Sequence, residues 1–236
     1  MTARCYTPSL FEESPELLAW QHQTITEQAE TGASIVEKLA RLTMDFANVK
    51  RAPRYDPYTP ESDVEHSYMV ALFGVELAAR YFPDLDLGKI ALRMLAHDMV
   101  ELETGDIVSF LLTKGELEAK AAREHAARMR LAKRLTPTWQ EQVDGHEDQI
   151  DAEAQFCKHV EKLAPVIVDL LGPGEMVMKE DLDITTGDEL WLAEQGFSDR
   201  MHSNFPMPEH DIIHAIRELL AARFQTRFDA ATEETA

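Results

Sequence analysis

Three places in this 236-residue chain put a chemically active side chain where the surrounding pattern predicts burial. His66 stands just inside a helix start signalled by Ser62-Asp-Val-Glu65, with Met69, Val70 and Phe73 following on its face. His97-Asp98 closes the apolar run Ile90-Ala-Leu-Arg-Met-Leu-Ala96. Glu161 shares a helical face with Cys157, Ala164 and Val168. A buried carboxylate is costly unless it is paired or bound to a metal. Asp98 also falls near a helix C-terminus, where the dipole disfavours an anion. Any one of these residues alone reads as a satisfied core histidine or a helix-end acid. Together they read as ligands of one divalent ion. Two imidazoles and two carboxylates suit zinc, manganese, cobalt or iron, and magnesium is also admitted.

Glu101 lies three residues after Asp98 and shares its helical face. An acid beside a metal can orient or deprotonate an attacking water. Glu103 points elsewhere and reads as solvated. Other chemistries fall away. There is no GxxxxGK[ST] phosphate loop, Gly172-Pro-Gly174 lacks the lysine, and there is no GxSxG elbow. The stretch from Asp181 to Gly187 imitates a calcium loop, but its glycine is one place late and Leu192 stands where the loop needs Glu. His210 and His214, four apart, read as surface or partly packed residues.

The elements that must position these side chains are predominantly helical. Residues 1–13 read as an irregular arm, and Ser14-Pro15-Glu16 as a helix start. Ile35, Leu39, Leu42 and Phe46 predict a helix over 33–48. Three prolines make 50–60 a loop. A helix runs from the cap at Ser62 to about Tyr81, and Phe82-Pro83-Asp84 stops it. Leu87 to Val100 is a buried helix, followed by a short loop at Thr104-Gly105-Asp106. Further helices are expected over 114–134, from Pro137, over 150–171 and over 207–228, with Pro165 kinking or starting one of them. Residues 172–208 mix Gly, Pro, acids and isolated aromatics, and read as an insertion or lid with moderate structure at best. ATEETA reads as a tail. Ten glycines and eleven prolines disfavour a turn-rich β fold, so the expected class is all-α. The expected organisation is an arm and helix over 1–30, a main domain over 31–171, the insertion over 172–208, and a C-terminal helix and tail over 209–236.

Charge limits the partners. Lys plus Arg number 23 and Asp plus Glu 43, a net −20, which repels nucleic-acid polymers and anionic membranes. It leaves room for a small phosphorylated substrate held by a few local cations. Two cysteines, Cys5 and Cys157, make no disulfide framework. The segment MTARCYTPSLFEESPE has no apolar core of signal-peptide length, and no run reaches membrane-span length. The expectation is a cytoplasmic protein, with a homodimer left open.

Three segments in order resemble the HD superfamily of metal-dependent phosphohydrolases, and more closely the bacterial 5′-deoxynucleotidases and their eukaryotic HD-domain relatives. ESDVEHSYMVA (61–71) looks like their first-histidine element. LAHDMVELETGDI (95–107) looks like their HDxxExxxGD element, with Glu101 and Asp106 in the matching places. AEAQFCKHVEKLAP (152–165) is similar to the element that carries their last ligand, an Asp where this chain has Glu161; Asp151 and Asp169 fall outside it. The likeness covers about residues 35–171. It implies an all-α HD bundle with one divalent ion on His66, His97, Asp98 and Glu161, and Glu101 and Asp106 as catalytic acids. It also implies phosphate contacts from Arg51, Arg54 and Lys120, the last of which equally suits an i,i+4 pair with Glu124. The implied reaction is hydrolysis of a deoxyribonucleoside 5′-monophosphate. A deoxynucleoside triphosphate triphosphohydrolase is the near rival, and a non-catalytic binding or regulatory HD protein the distant one.

Overall fold

The computed structural model describes residues 24–204 and 211–233. The arm, the helix start at Ser14, Cys5, His210 and the end of the tail lie outside the described residues. The chain forms two compact units, the first ending at Arg41 and the second starting at Leu42. Helix α1 (Ile25–Phe46) begins in the first unit and ends in the second. It starts upstream of residue 33 because Thr24 and Glu27 cap it reciprocally: Glu27 N–H donates to Thr24 Oγ1, and Thr24 N–H donates to the Glu27 carboxylate at 2.7 Å. Its Leu42 and Phe46 are buried.

The proline-rich segment is not a loop. Lys50–Asp56 (β1) and Thr59–Ser62 (β2) pair antiparallel, with Lys50 opposite Ser62 and Arg54 opposite Pro60. In a two-stranded ribbon every strand is an edge strand, so a missing proline N–H need not break a ladder, and the register shifts between the pairs absorb the irregularity. The Asp56 carboxylate accepts from Tyr58 N–H at 2.8 Å and closes the turn.

Ser62 then caps α2 (Asp63–Tyr81). Its hydroxyl accepts from Glu65 N–H, and the Glu65 carboxylate accepts from Ser62 N–H at 2.9 Å. Helix α3 (Leu87–Ala96) packs along α2 and ends at Ala96, short of the Val100 that hydropathy suggests. A tight turn over 97–100 leads into one turn of helix, α4 (Glu101–Thr104). Gly105, at φ +69°, closes α4 in a conformation that other residues rarely adopt. Helices α5 (Lys114–Leu131) and α6 (Pro137–Glu147, proline in its first turn) follow. The expected 150–171 helix is two, α7 (Ala152–Val160) and α8 (Leu163–Leu171), broken at Glu161-Lys162 with Pro165 in the first turn of the second.

Residues 172–204 are helical, unlike the loosely structured insertion that their composition suggests: α9 (Gly174–Asp181) and α10 (Gly187–Asn204). Gly187 lets α10 start close against the Asp229 and Gln225 side chains of α11 (Asp211–Glu233), and a Cβ there would make the Asp229 carboxylate shift. Met178, Ile184, Leu190, Phe224 and Phe228 form a core joining α9, α10 and α11. A fully buried phenylalanine is worth about 1.5–3 kcal/mol, enough to make this layer part of the fold. A second core joins α2, α3, α7, α8 and α11 through Val70, Ile90, Met94, Phe156, Val160, Leu163 and Ile213. The class is all-α with one small hairpin. Among the described residues no helix is long and apolar enough to cross a membrane.

Candidate active site

The first turn of α2 supplies Asp63 and His66, the end of α3 supplies His97, and the turn after it supplies Asp98. Helix α4 adds Glu101, and the Gly105 turn brings in Asp106. The hairpin delivers Arg51 and a fully buried Glu61. Caps and turns, not long helical faces, therefore set the geometry.

Both histidines are oriented from behind. His66 Nδ1 lies 3.2 Å from Glu61 Oε2, and His97 Nδ1 lies 2.7 Å from Met94 O. A carbonyl only accepts, so His97 donates from Nδ1, and in its neutral form the ring presents the Nε2 lone pair; the Glu61 carboxylate assigns the same neutral tautomer to His66. Both Nε2 atoms turn to one oxygen. Asp98 Oδ2 is 3.6 Å from His66 Nε2 and 3.0 Å from His97 Nε2. The buried His97 Nε2 has no aligned hydrogen-bond partner among the described residues. One ligand atom from each of His66, His97 and Asp98 falls within 4.8 Å of the others. Lone pairs converging with a carboxylate, each ring held through its other nitrogen, fit a divalent ion.

Arg51 sits beside this trio in a nest of acids. Its Nη1 lies 2.7 Å from Asp98 Oδ2, 3.0 Å from Asp63 Oδ1, 3.2 Å from Glu101 Oε2 and 3.7 Å from Asp106 Oδ1, while Nε is 3.6 Å from Glu61. The nest is strongly anionic. Burial, then the Asp98 charge, pushes the Glu101 carboxyl up to about 11 and Asp63 up to about 7, against the pull of Arg51. Burial also raises Asp106. Burial would raise Asp98 too, but His97 and Arg51 outweigh it and hold that carboxyl well below the usual range.

Of the other expected site residues, Lys120 lines the cleft, with Nζ 3.0 Å from Ser109 Oγ and 3.1 Å from Glu124. Its two readings, ion pair and cleft cation, hold together. Arg54 pairs with Asp181 at 2.7 Å and is not among the cleft residues. Glu161 lines the cleft but stands apart from the trio. As the residue at the α7–α8 break it is flanked by lysines, and its carboxylate lies 2.6 Å from Lys162 Nζ, 3.2 Å from Lys158 Nζ and 3.1 Å from His146 Nε2. Burial raises its carboxyl, but the two lysines and His146 hold it well below the usual range.

Several site residues escape a reading of the sequence. Glu61 and Asp63 flank the Ser62 cap and pass for loop and first-turn acids. His146, buried with its ring 5.7 Å from that of His97, carries no local signal. The cleft that the trio lines encloses about 920 Å³, open solvent at its mouth included, and runs along α8, α9 and α10.

The chain matches the model of the HD domain family over residues 46–192. In fold it is similar to the crystal structure of a predicted metal-dependent phosphohydrolase from Magnetospirillum magnetotacticum MS-1. That likeness has a TM-score of 0.58 and 20% identity, over 82% of this chain and 96% of that one. No curated protein matches the chain. The family match spans every element from the end of α1 into α10, including both histidines and the acids around them, and by it the chain belongs to the HD domain family.

Proposed function

We propose that this protein is a metal-dependent phosphohydrolase acting on nucleotides, deoxyribonucleoside 5′-monophosphates foremost. One observation carries the reading: two buried imidazoles, each held through Nδ1, aim Nε2 at a single Asp98 oxygen on the wall of a cleft. His66, His97 and Asp98 would hold the ion. A divalent ion bound there polarises a phosphoryl oxygen and lowers the pKa of water. The protein's own residues do the rest. Glu61 and the Met94 carbonyl fix the two tautomers. Glu101 shares Arg51 Nη1 with Asp98, which puts its carboxyl beside the trio to orient the attacking water; it would take up that water's proton only with a bound cation drawing its raised pKa down. Arg51 keeps a positive charge where the phosphoryl group gains negative charge. Lys120 and Lys162, both on the cleft wall, draw the phosphate toward that end.

The cations of 172–204 favour a monophosphate over a triphosphate. Lys179 lies over the Phe228 ring, Arg200 donates to the Phe110 carbonyl at 2.6 Å, and neither lines the cleft, so neither is placed to meet extra phosphates. The non-catalytic alternative draws on Glu161 standing off the trio. A screen of nucleoside mono-, di- and triphosphates with protein loaded with manganese, cobalt or zinc tests all three readings. Orthophosphate released from deoxynucleoside monophosphates is the expected result. Triphosphate release would replace the monophosphate reading, and a protein that takes up no metal and cleaves nothing would end the enzymatic one.

A further inference from the structure

One face of α8 runs along the cleft wall: Lys162, Pro165, Val166 and Asp169, spaced 3, 1 and 3 apart. Asp169 lies two helical turns, about 10 Å, beyond Lys162. It is 7% exposed, its Oδ1 is buried without a hydrogen-bond partner among the described residues, and it lines the cleft. A buried carboxyl in that state is expensive, and a ligand in the cleft would relieve it.

The wall facing it is built from the two helical layers after residue 172. Phe197 of α10 is fixed by Arg217, whose guanidinium carbon lies 4.3 Å from the ring centre, and by Phe110 at 5.8 Å. Arg217 is itself neutralised by Glu194, 2.8 Å away. This end of the cleft therefore offers two acids, one cation already paired, and apolar surface from Phe197 and Met178. The Arg217 charge is already taken up by Glu194, so a phosphate would gain little here. A flat ring system carrying N–H or O–H donors would be held.

We infer that Asp169 and the Phe197 wall form the subsite for the nucleoside half of the substrate, with Asp169 reading a hydrogen-bond donor on that half. The inference rests on the nucleotide reading above and adds the residues that select the substrate. The donor has two sources, an exocyclic amino group on the base or the 3′-hydroxyl of the sugar. Burial, then Glu194 and Glu61, pushes the Asp169 carboxyl well above its usual range.

Calorimetric titration of the metal-loaded protein with deoxyadenosine, thymidine and 2′,3′-dideoxyadenosine tests this without requiring turnover. Deoxyadenosine should bind about tenfold more tightly than the analogue that lacks the donor, thymidine if the amino group is read and dideoxyadenosine if the hydroxyl is. Asp169→Asn keeps an accepting oxygen and should keep the preference. Asp169→Val should erase it, bringing deoxyadenosine down to the weaker analogue. Equal affinity for all three nucleosides in the unmodified protein overturns the subsite, as does a preference that survives Asp169→Val; the first comparison stands even if the valine variant fails to fold. Nucleoside discrimination without phosphate release from any nucleotide would end the phosphohydrolase reading and leave the subsite. Phosphate release without discrimination would do the reverse.

Discussion

Among the described residues two groups of histidines lie close together, and only one has the geometry of a ligand set. His66 and His97 have ring centres 5.3 Å apart. His214 is nearer to its neighbours, 4.7 Å from His159 and 4.5 Å from His202. Yet among the described residues only the first group brings one ligand atom each from three residues within 4.8 Å, the third being Asp98. The difference lies in what holds each ring. Glu61 and the Met94 carbonyl take the Nδ1 positions of the first pair and turn both Nε2 atoms toward one carboxylate oxygen. In the second group the rings pack on one another, one pair stacked and the other edge to face, and His202 Nδ1 donates along its own helix to Ser198 O at 2.8 Å. Imidazole density does not make a metal site; lone-pair direction does.

The largest test of that comparison removes the shared oxygen. Asp98→Ala should abolish metal uptake and lower turnover by at least about 10³-fold, since a bound ion is worth several kcal/mol to the reaction. Elemental analysis of the purified variant is the direct check. Full metal occupancy would show that the ion sits elsewhere and would break the contrast between the two groups.

Much of the first group can be read from the sequence, because its signals are local. The Ser62–Glu65 cap places His66 at a helix start, and the apolar run before His97-Asp98 marks burial. What cannot be read is made by tertiary contact. Arg51 meets Asp98 across 47 residues because a proline-rich segment folds back as a hairpin, and proline content argues for a loop until both edges of the ribbon are known. Glycines at or beside the starts of α9 and α10 lower the helical signal of 172–204, although the apolar side chains between them complete a core. Glu161 shows the limit of pattern reading. Its helical face predicts burial and the structure buries it, but two lysines and His146 claim its charge. Asp169 is the opposite case, an acid inside the apolar run Leu163–Leu171, and the burial argument that singles out Asp98 applies to it as well.

A smaller effect probes orientation alone. Glu61→Gln keeps the shape of the residue behind His66 but removes the charge that fixes its tautomer. Metal affinity should fall about 10- to 100-fold, the usual cost of losing such a partner, with the fold intact. Competition with a chelator measures it. An unchanged affinity would mean that the His66 ring is held by packing, and that direction is set by other contacts in both groups.

The smallest effect belongs to the second group and concerns stability. Burial, then the neighbouring His202, lowers the pKa of His214, against Asp211 and Glu218, which raise it; Arg217 lowers it further. In the unfolded chain the same imidazole titrates near 6.5. As pH falls through that value the unfolded state takes up the proton first, so the stability present above it is lost progressively toward the lower native pKa. His214→Phe removes this group from the balance. The melting temperature of the variant should therefore fall less between pH 7.5 and 5.5 than that of the unmodified protein, by a few degrees at most. Equal slopes would show that His214 is not the titrating group. Metal content should be the same in both proteins. If His214→Phe lowered it, the second group would be binding an ion after all, and ring packing could no longer be held to exclude a ligand set.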